Sequence, residues 1–257
     1  MTYEPRTYRG GMGADRFRPF TVVEGETDLW IGVDPASYRP AMETFAREKI
    51  MELRRELSAW IARDRAFVES FSPITVPEVA PGIIRSMAAA AQRAQVGPMA
   101  AVAGAIAETV GRALAAEFSC TEVVVENGGD IWAQVVTPLT VSVYAGASPL
   151  SGKVGIVIPA EYSPLGICTS SGTVGHSFSF GKADAALIVC RDTALADAYA
   201  TAFCNRIKSV ADIESQLKRA EESAEILAAL FIVGEKMGMR GRVTFVPMEA
   251  RKTRPGK

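Results

Sequence analysis

Gly166-Ile167-Cys168-Thr169-Ser170-Ser171-Gly172-Thr173-Val174-Gly175-His176-Ser177-Phe178 leads through Lys182-Ala183-Asp184 into the apolar run 186–190. Directly after it comes Arg191-Asp192-Thr193-Ala194-Leu195-Ala196-Asp197-Ala198-Tyr199-Ala200-Thr201-Ala202. The pattern reads as a strand at 167–169, a turn at Ser170-Ser171-Gly172, a strand at 174–178 and a buried strand at 186–190. A helix then runs to about 205, capped by Asp192 or Thr193. Small residues dominate the stretch, and they let a ligand or a neighbouring backbone come close. Hydroxyls beside glycine N–H groups suit anionic oxygens. Taken alone, the same residues also fit a tightly packed strand–turn–strand–helix unit with no ligand.

Outward from this stretch the chain alternates helices and strands. Upstream, 17–24 and 28–33 read as a hairpin turning at Gly25-Glu26-Thr27. Met42, Phe45, Ile50, Leu53, Leu57, Trp60, Ile61 and Phe67 recur at helical spacing, so 40–71 reads as a long amphipathic helix facing a sheet. Residues 83–95 form a shorter Ala-rich helix and 99–118 a second long one. Gly104 and Gly111 lie inside that second helix, where each costs about 1 kcal/mol against alanine, which points to close approach of a neighbour or ligand. Strands follow at 121–126, 131–136, 140–144 and 154–158. Downstream, 213–223 is helical, and 225–233 and 242–247 are terminal strands joined through 234–238. This is one mixed α+β domain over 1–257, antiparallel strands with long helices on one side.

The totals narrow the function. The chain has 257 residues, 48% hydrophobic and 22% charged, with a net charge of −1. That balance gives no general affinity for nucleic acid or membrane surfaces. No apolar run is long enough to cross a bilayer, and the N-terminus has no signal pattern. Cys120, Cys168, Cys190 and Cys204 lack metal-type spacing and read as reduced core residues of a cytoplasmic protein. With one histidine and dispersed thiols, a structural zinc is not expected.

Four places carry chemistry. Asp197 and Thr201 are four apart on a helix, so a carboxylate and a hydroxyl share one face. Two such oxygens suit Mg²⁺; the alternative is a surface Asp with Thr bonding a carbonyl one turn back. Asn127-Gly128-Gly129-Asp130 offers free N–H groups beside an acid, or simply a hairpin turn. Thr169, Ser170, Ser171 and Gly172 could cradle a phosphate. His176 could serve as a base or contact a ligand, although no carboxylate near it in sequence orients it. No Walker-type or Gly-x-Gly-x-x-Gly element is present.

Four of these elements, in order, resemble the flavin-transferase (ApbE) superfamily. Gly104-Ala105-Ile106-Ala107-Glu108 is similar to its Lys-Gly-Tyr-Ala-Val-Asp stretch. Glu126-Asn127-Gly128-Gly129-Asp130 is similar to its Asn-x-Gly-Gly-Asp turn, and Thr169-Ser170-Ser171-Gly172 to its Thr-Ser-Gly loop. Ala196-Asp197-Ala198-Tyr199-Ala200-Thr201-Ala202 is similar to its Ala-Asp-Ala-x-Ala-Thr-Ala helix start, the most specific of the four. The matches span 104–205; the outer thirds look like a branch of that superfamily apart from the transferases. The resemblance implies a T-fold-like α+β architecture and a flavin-nucleotide site, FAD or FMN, with Mg²⁺ held by Asp197, Thr201 and the backbone carbonyl matched by Ile106. It implies transfer of FMN from FAD onto a Thr or Ser of a target protein, or cleavage of the pyrophosphate. The departures are a missing His-x-x-Asp-Pro segment, of which only His176 remains, Glu108 in place of an aspartate and Ala103 in place of a lysine. They admit two rivals: a non-catalytic binding or scaffold protein, and an enzyme acting on a different small molecule. A homodimer is the assembly considered.

Overall fold

The computed structural model describes Arg9, Met12, Gly13, residues 16–173 and residues 181–248. Two sheets organise these residues. The larger has eight antiparallel strands in the order β1-β2-β3-β4-β7-β8-β9-β10. Its strands are β1 (Arg18–Glu24), β2 (Thr27–Val33), β3 (Val123–Asn127), β4 (Asp130–Gln134), β7 (Leu165–Ser170), β8 (Ala185–Cys190), β9 (Ile226–Val233) and β10 (Lys236–Gly241). The smaller sheet has the order β11-β6-β5, from β5 (Leu139–Ser142), β6 (Val154–Ile158) and β11 (Thr244–Pro247).

Period-two alternation assigns each face of the large sheet. Leu29, Ile31 and Val33 of β2, Val123 and Val125 of β3 and Trp132 of β4 point to one core. There they meet the helices α1 (Ala41–Arg63), α3 (Gly82–Ala94), α4 (Val102–Glu117) and α5 (Thr193–Arg206). The short α2 (Ala66–Glu69) adds Phe67 to that core. Farther along the same face Ala186, Ile188, Ala229 and Phe231 pack on α5 and α6 (Asp212–Glu221). The intervening residues Ile131, Ala133, Leu187, Val189 and Leu230 point to the opposite face, where Val154, Ile156 and Ile158 of the small sheet cover them. The fold is therefore α+β, an antiparallel sheet with long helices on one side, as the sequence indicates.

Three details differ from the sequence reading. The helix placed at 40–71 is α1 and α2, broken at Asp64, whose backbone is extended. The joint placed at 234–238 holds part of a strand: only Gly234, with φ +58, and Glu235 turn, and β10 starts at Lys236. Its side chains are half-buried or exposed, which gives no alternating signal. The segment 98–117 is, by length and composition, apolar enough to cross a membrane, with mean hydropathy 1.3. Counting uninterrupted apolar residues missed it, because Glu108 and Arg112 interrupt the run. Its Val110 and Leu114 are fully buried in the core. The strand expected at 174–178 lies outside the described residues.

The interior glycines of α4 are explained by close approach. A Cβ on Gly104 would stand 2.5 Å from the Thr193 carbonyl oxygen and 2.9 Å from the Asp197 Cβ. One on Gly111 would stand 2.1 Å from the buried Trp132 ring. These two glycines let α4 lie directly on α5 and β4.

Candidate functional site

β3 and β4 are joined by a two-residue turn, with Asn127 paired to Asp130. Gly128 and Gly129 have φ +69 and +105, left-handed values that glycine alone adopts cheaply. This turn fixes two side chains. The Asn127 Nδ2 donates to the Ala103 carbonyl oxygen at 3.1 Å, at the start of α4. Asp130 is buried, and its Oδ1 has no hydrogen-bond partner. The Gly129 N–H donates to Glu126 Oε1 at 2.7 Å, so that amide is engaged inside the turn. The turn is thus not a loop of wholly free N–H groups, as its sequence had suggested.

The helices α4 and α5 meet by their N-terminal halves. Asp192 caps its own helix by accepting the Leu195 N–H at 2.8 Å. Asp197 of α5 accepts the Gly104 N–H of α4 at 2.9 Å, while Glu108 of α4 accepts the Thr193 N–H of α5 at 2.7 Å. Each helix therefore satisfies an orphan N–H of the other, where both macrodipoles are positive. Thr201 is half-buried one turn beyond Asp197. Ile106 lies in the same helix as Gly104 with its side chain in the core.

β7 completes the cluster. The Thr169 carbonyl oxygen faces Gly129, 3.7 Å from where a Cβ would be. Cys168 donates from its thiol to the Thr193 carbonyl oxygen at 3.5 Å. Ser170 is buried, while Thr169 and Ser171 are half-buried and Gly172 is exposed. The Gly172 N–H donates to the Ala183 carbonyl oxygen at 2.8 Å, and the Ser171 Oγ accepts the Thr173 N–H at 3.1 Å. Asn127, Gly128, Gly129, Asp130, Thr169 and Asp197 are thus brought to one place, with Thr201 one turn along α5. His176 lies outside the described residues.

The electrostatics of the cluster are those of a buried acid pair. Burial pushes the Asp197 carboxyl up to about 7, against the Gly104 and Ala103 N–H groups, which favour its charge. Burial, then the charges of Asp197 and Glu126, push Asp130 well above the carboxylate range. The Cys168 thiol is driven up by burial and by both acids. Two mutually repelling carboxylates, one with an orphan oxygen, call for a cation or a proton. Among the described residues no group of three or more His, Cys, Asp and Glu side chains forms a metal cage. Mg²⁺ does not require one: it is commonly held by one or two carboxylates plus substrate phosphates and waters. The hard oxygens of Asp130, Asp197 and Thr201 fit that demand.

Sequence reasoning missed three contributors. Glu126 stands in a buried strand of valines, 1% exposed, and that anomaly was its signal. Glu108 was noted only as a departure from a motif. Arg9, whose Nε donates to Glu126 Oε2 at 2.6 Å, gave no signal at all. Two concavities of about 340 Å³ lie elsewhere, one along α1 at Phe45 and Glu52, another between α6 and β9–β10 at Ser223 and Arg242.

Comparison with known proteins bears on the family and the fold. A family model described as AbpE bacteria matches residues 11–229. A UPF0280 protein of Methanocella arvoryzae is 45% identical over 196 residues, covering 76% of this chain and 79% of its own. One from Methanopyrus kandleri is 42% identical over 229 residues, covering 86% and 89%. Among solved structures, the apo flavinyl transferase ApbE of Pseudomonas stutzeri superposes with a TM-score of 0.59 at 14% identity, covering 90% of this chain and 94% of that one. The flavin transferase ApbE of Vibrio cholerae gives 0.53 at 14% identity, covering 88% and 96%. At such identities the likeness is one of fold.

Proposed function

Since the chain belongs to the AbpE bacteria family, an ApbE-like branch that includes the archaeal UPF0280 proteins, we propose that it binds a flavin nucleotide, FAD or FMN, with Mg²⁺. The observation that carries this reading is the buried Asp130–Asp197 pair with the unpartnered Asp130 Oδ1. Asp197, Asp130 and Thr201 would hold the cation, with the carbonyl of Ile106 as the remaining candidate ligand. When bound, the cation draws negative charge off a pyrophosphate and so eases attack on phosphorus. The chain's own residues do the rest. The hydroxyls of Thr169, Ser170 and Ser171, beside Gly172, suit phosphate oxygens and would contact the ligand. Asn127 ties the turn to α4 and keeps Asp130 facing Asp197. His176 is assigned proton transfer from an attacking hydroxyl, of a target-protein Thr or Ser for FMN transfer or of water for cleavage.

One observation favours a second reading, a binding or scaffold protein that keeps the fold without the chemistry. The Asp197 and Asn127 bonds to α4 already give both residues a structural role. Thermal shift separates the two. A ligand at a hundred times its Kd stabilises by about 2.7 kcal/mol. The parent should therefore shift with FAD and Mg²⁺ and shift far less in chelator. Asp197→Ala should lose the Mg²⁺-dependent part. His176→Ala should keep the shift and lose transfer or cleavage. A parent that shifts with no flavin or adenine nucleotide, with or without metal, removes the first reading.

A further inference from the structure

β7 leaves its ladder at Ser170, which pairs with Ala186 of β8. Just beyond, the Gly172 N–H donates to the Ala183 carbonyl oxygen at 2.8 Å, and the Thr173 Oγ1 donates to Asp184 Oδ1 at 2.9 Å. The same Thr173 hydroxyl stands 3.3 Å from Ser171 Oγ, which also accepts the Thr173 N–H at 3.1 Å. Asp184 is half-buried just before β8, and its own N–H donates to the Ile232 carbonyl oxygen of β9 at 2.9 Å. Its second carboxylate oxygen accepts the Gly234 N–H at 2.7 Å, in the β9–β10 turn. The Gly234 carbonyl oxygen in turn accepts the Ser148 Oγ at 2.6 Å, from the β5–β6 connection. One carboxylate thus ties the hydroxyl loop after β7 to a turn of the large sheet, and through that turn to the small sheet.

We propose that Asp184 is a positioning residue for the 169–172 loop, setting where its hydroxyls stand for a phosphate-bearing ligand. Asp184 acts through Thr173 and does not itself contact the ligand. It fixes the Thr173 hydroxyl, and Thr173 fixes the Ser171 Oγ. A carboxylate accepts two charge-assisted bonds at once, so loop and turn are held in one arrangement. Alanine at 184 removes both acceptors. Asparagine keeps both links, because its amide oxygen can take the Gly234 N–H while its amide nitrogen donates to the Thr173 hydroxyl, which accepts as well as donates. The latch therefore depends on geometry and not on charge. This inference rests on the flavin-nucleotide reading for its functional half and on geometry alone for its structural half.

The test has two arms on the full chain. The first follows amide hydrogen exchange. Thr173→Val, a change of equal volume at an exposed site, should quicken exchange at Gly172 and leave Gly234 protected. Asp184→Ala should quicken both, and Asp184→Asn should return both toward the parent, while β8 amides such as Ile188 stay protected throughout. The second arm titrates FAD with Mg²⁺ well below the melting temperature. Asp184→Ala and Thr173→Val should each weaken binding by about 10–100-fold, the usual effect of removing a group that holds ligand contacts in place. Asp184→Asn should bind nearly as the parent does. Asp184→Ala combined with Thr173→Val should weaken binding by less than the product of the single effects. Parent-like binding in Asp184→Ala and Thr173→Val, an Asp184→Asn variant as weak as Asp184→Ala, or multiplicative single effects would each overturn the proposal. Exchange that quickens evenly through β8 would overturn it as well, as the mark of general loosening. A parent that binds no nucleotide overturns the flavin reading instead, and the exchange arm still decides whether Asp184 sets the loop.

Discussion

Asp197 ionises near 3.8 in an unfolded chain and near 7 in the folded one. Between those values the native state holds a proton that the unfolded chain has lost, so stability falls as pH rises through that window. The full cost stands above pH 7, and at about 1.4 kcal/mol per unit it is roughly 4 kcal/mol. Asp130 acts in the same direction. Asp34 and Glu122 act the other way. Burial opposes it, but the Glu122, Ser37 and Thr121 N–H groups hold the Asp34 carboxyl below its ordinary 3.8. The Arg16 guanidinium holds Glu122 below its ordinary 4.5. Their contribution is complete above those ordinary values and is lost as pH falls through the lower folded ones. In chelator, calorimetry should therefore find a higher melting temperature at pH 5.5 than at pH 8, with a second decline in strong acid. Asp197→Asn should flatten the neutral slope; an unchanged slope in that variant would show that the acid pair is not its source.

At the scale of elements, close packing decides between opposing effects. Gly111→Ala gains up to about 1 kcal/mol of helix propensity. The new methyl, however, would stand 2.1 Å from the fully buried Trp132 ring, and overpacking costs about 1–3 kcal/mol. Urea denaturation should show net destabilisation, and a more stable variant would mean that α4 can slide on β4. Leu57 of α1 is buried in the helix-side core. Leu57→Asp leaves an unpaired charge there and should cost about 3–5 kcal/mol or unfold the chain. Wild-type stability in that variant would put the wrong face of α1 on the sheet. The helices were legible because their apolar residues recur at helical spacing, and most strands because they are short apolar, β-branched runs bounded by turn residues. The Asn-Gly-Gly-Asp turn was legible from its glycines. Glu108 and Glu126 were not, since their partners lie 85 and 117 residues away in Thr193 and Arg9.

At the scale of the molecule, both faces of the eight-stranded sheet are covered, by helices on one and by three strands on the other. The sequence showed β6 and the neighbourhoods of β5 and β11 but not their union into a separate layer, because β11 pairs with a strand some ninety residues upstream. All four cysteines end up buried and unbridged. Burial pushes Cys120 up to about 11 and Cys190 higher still. Thiolates react and thiols do not, so the native protein should resist a thiol reagent at pH 7. Labelling should track global unfolding in denaturant. Rapid modification of any one cysteine in the native state would reveal local opening in its layer.

The mutual bonds between α4 and α5 have a consequence for descent. A lineage that abandoned chemistry at this site would still be selected to keep Asp197 and Glu108, because each caps the first turn of its neighbour's helix. Persistence of Asp197 therefore marks the architecture and not the activity. Asp130 Oδ1 carries no bond of that kind, so it is the oxygen whose retention would report on ligand binding.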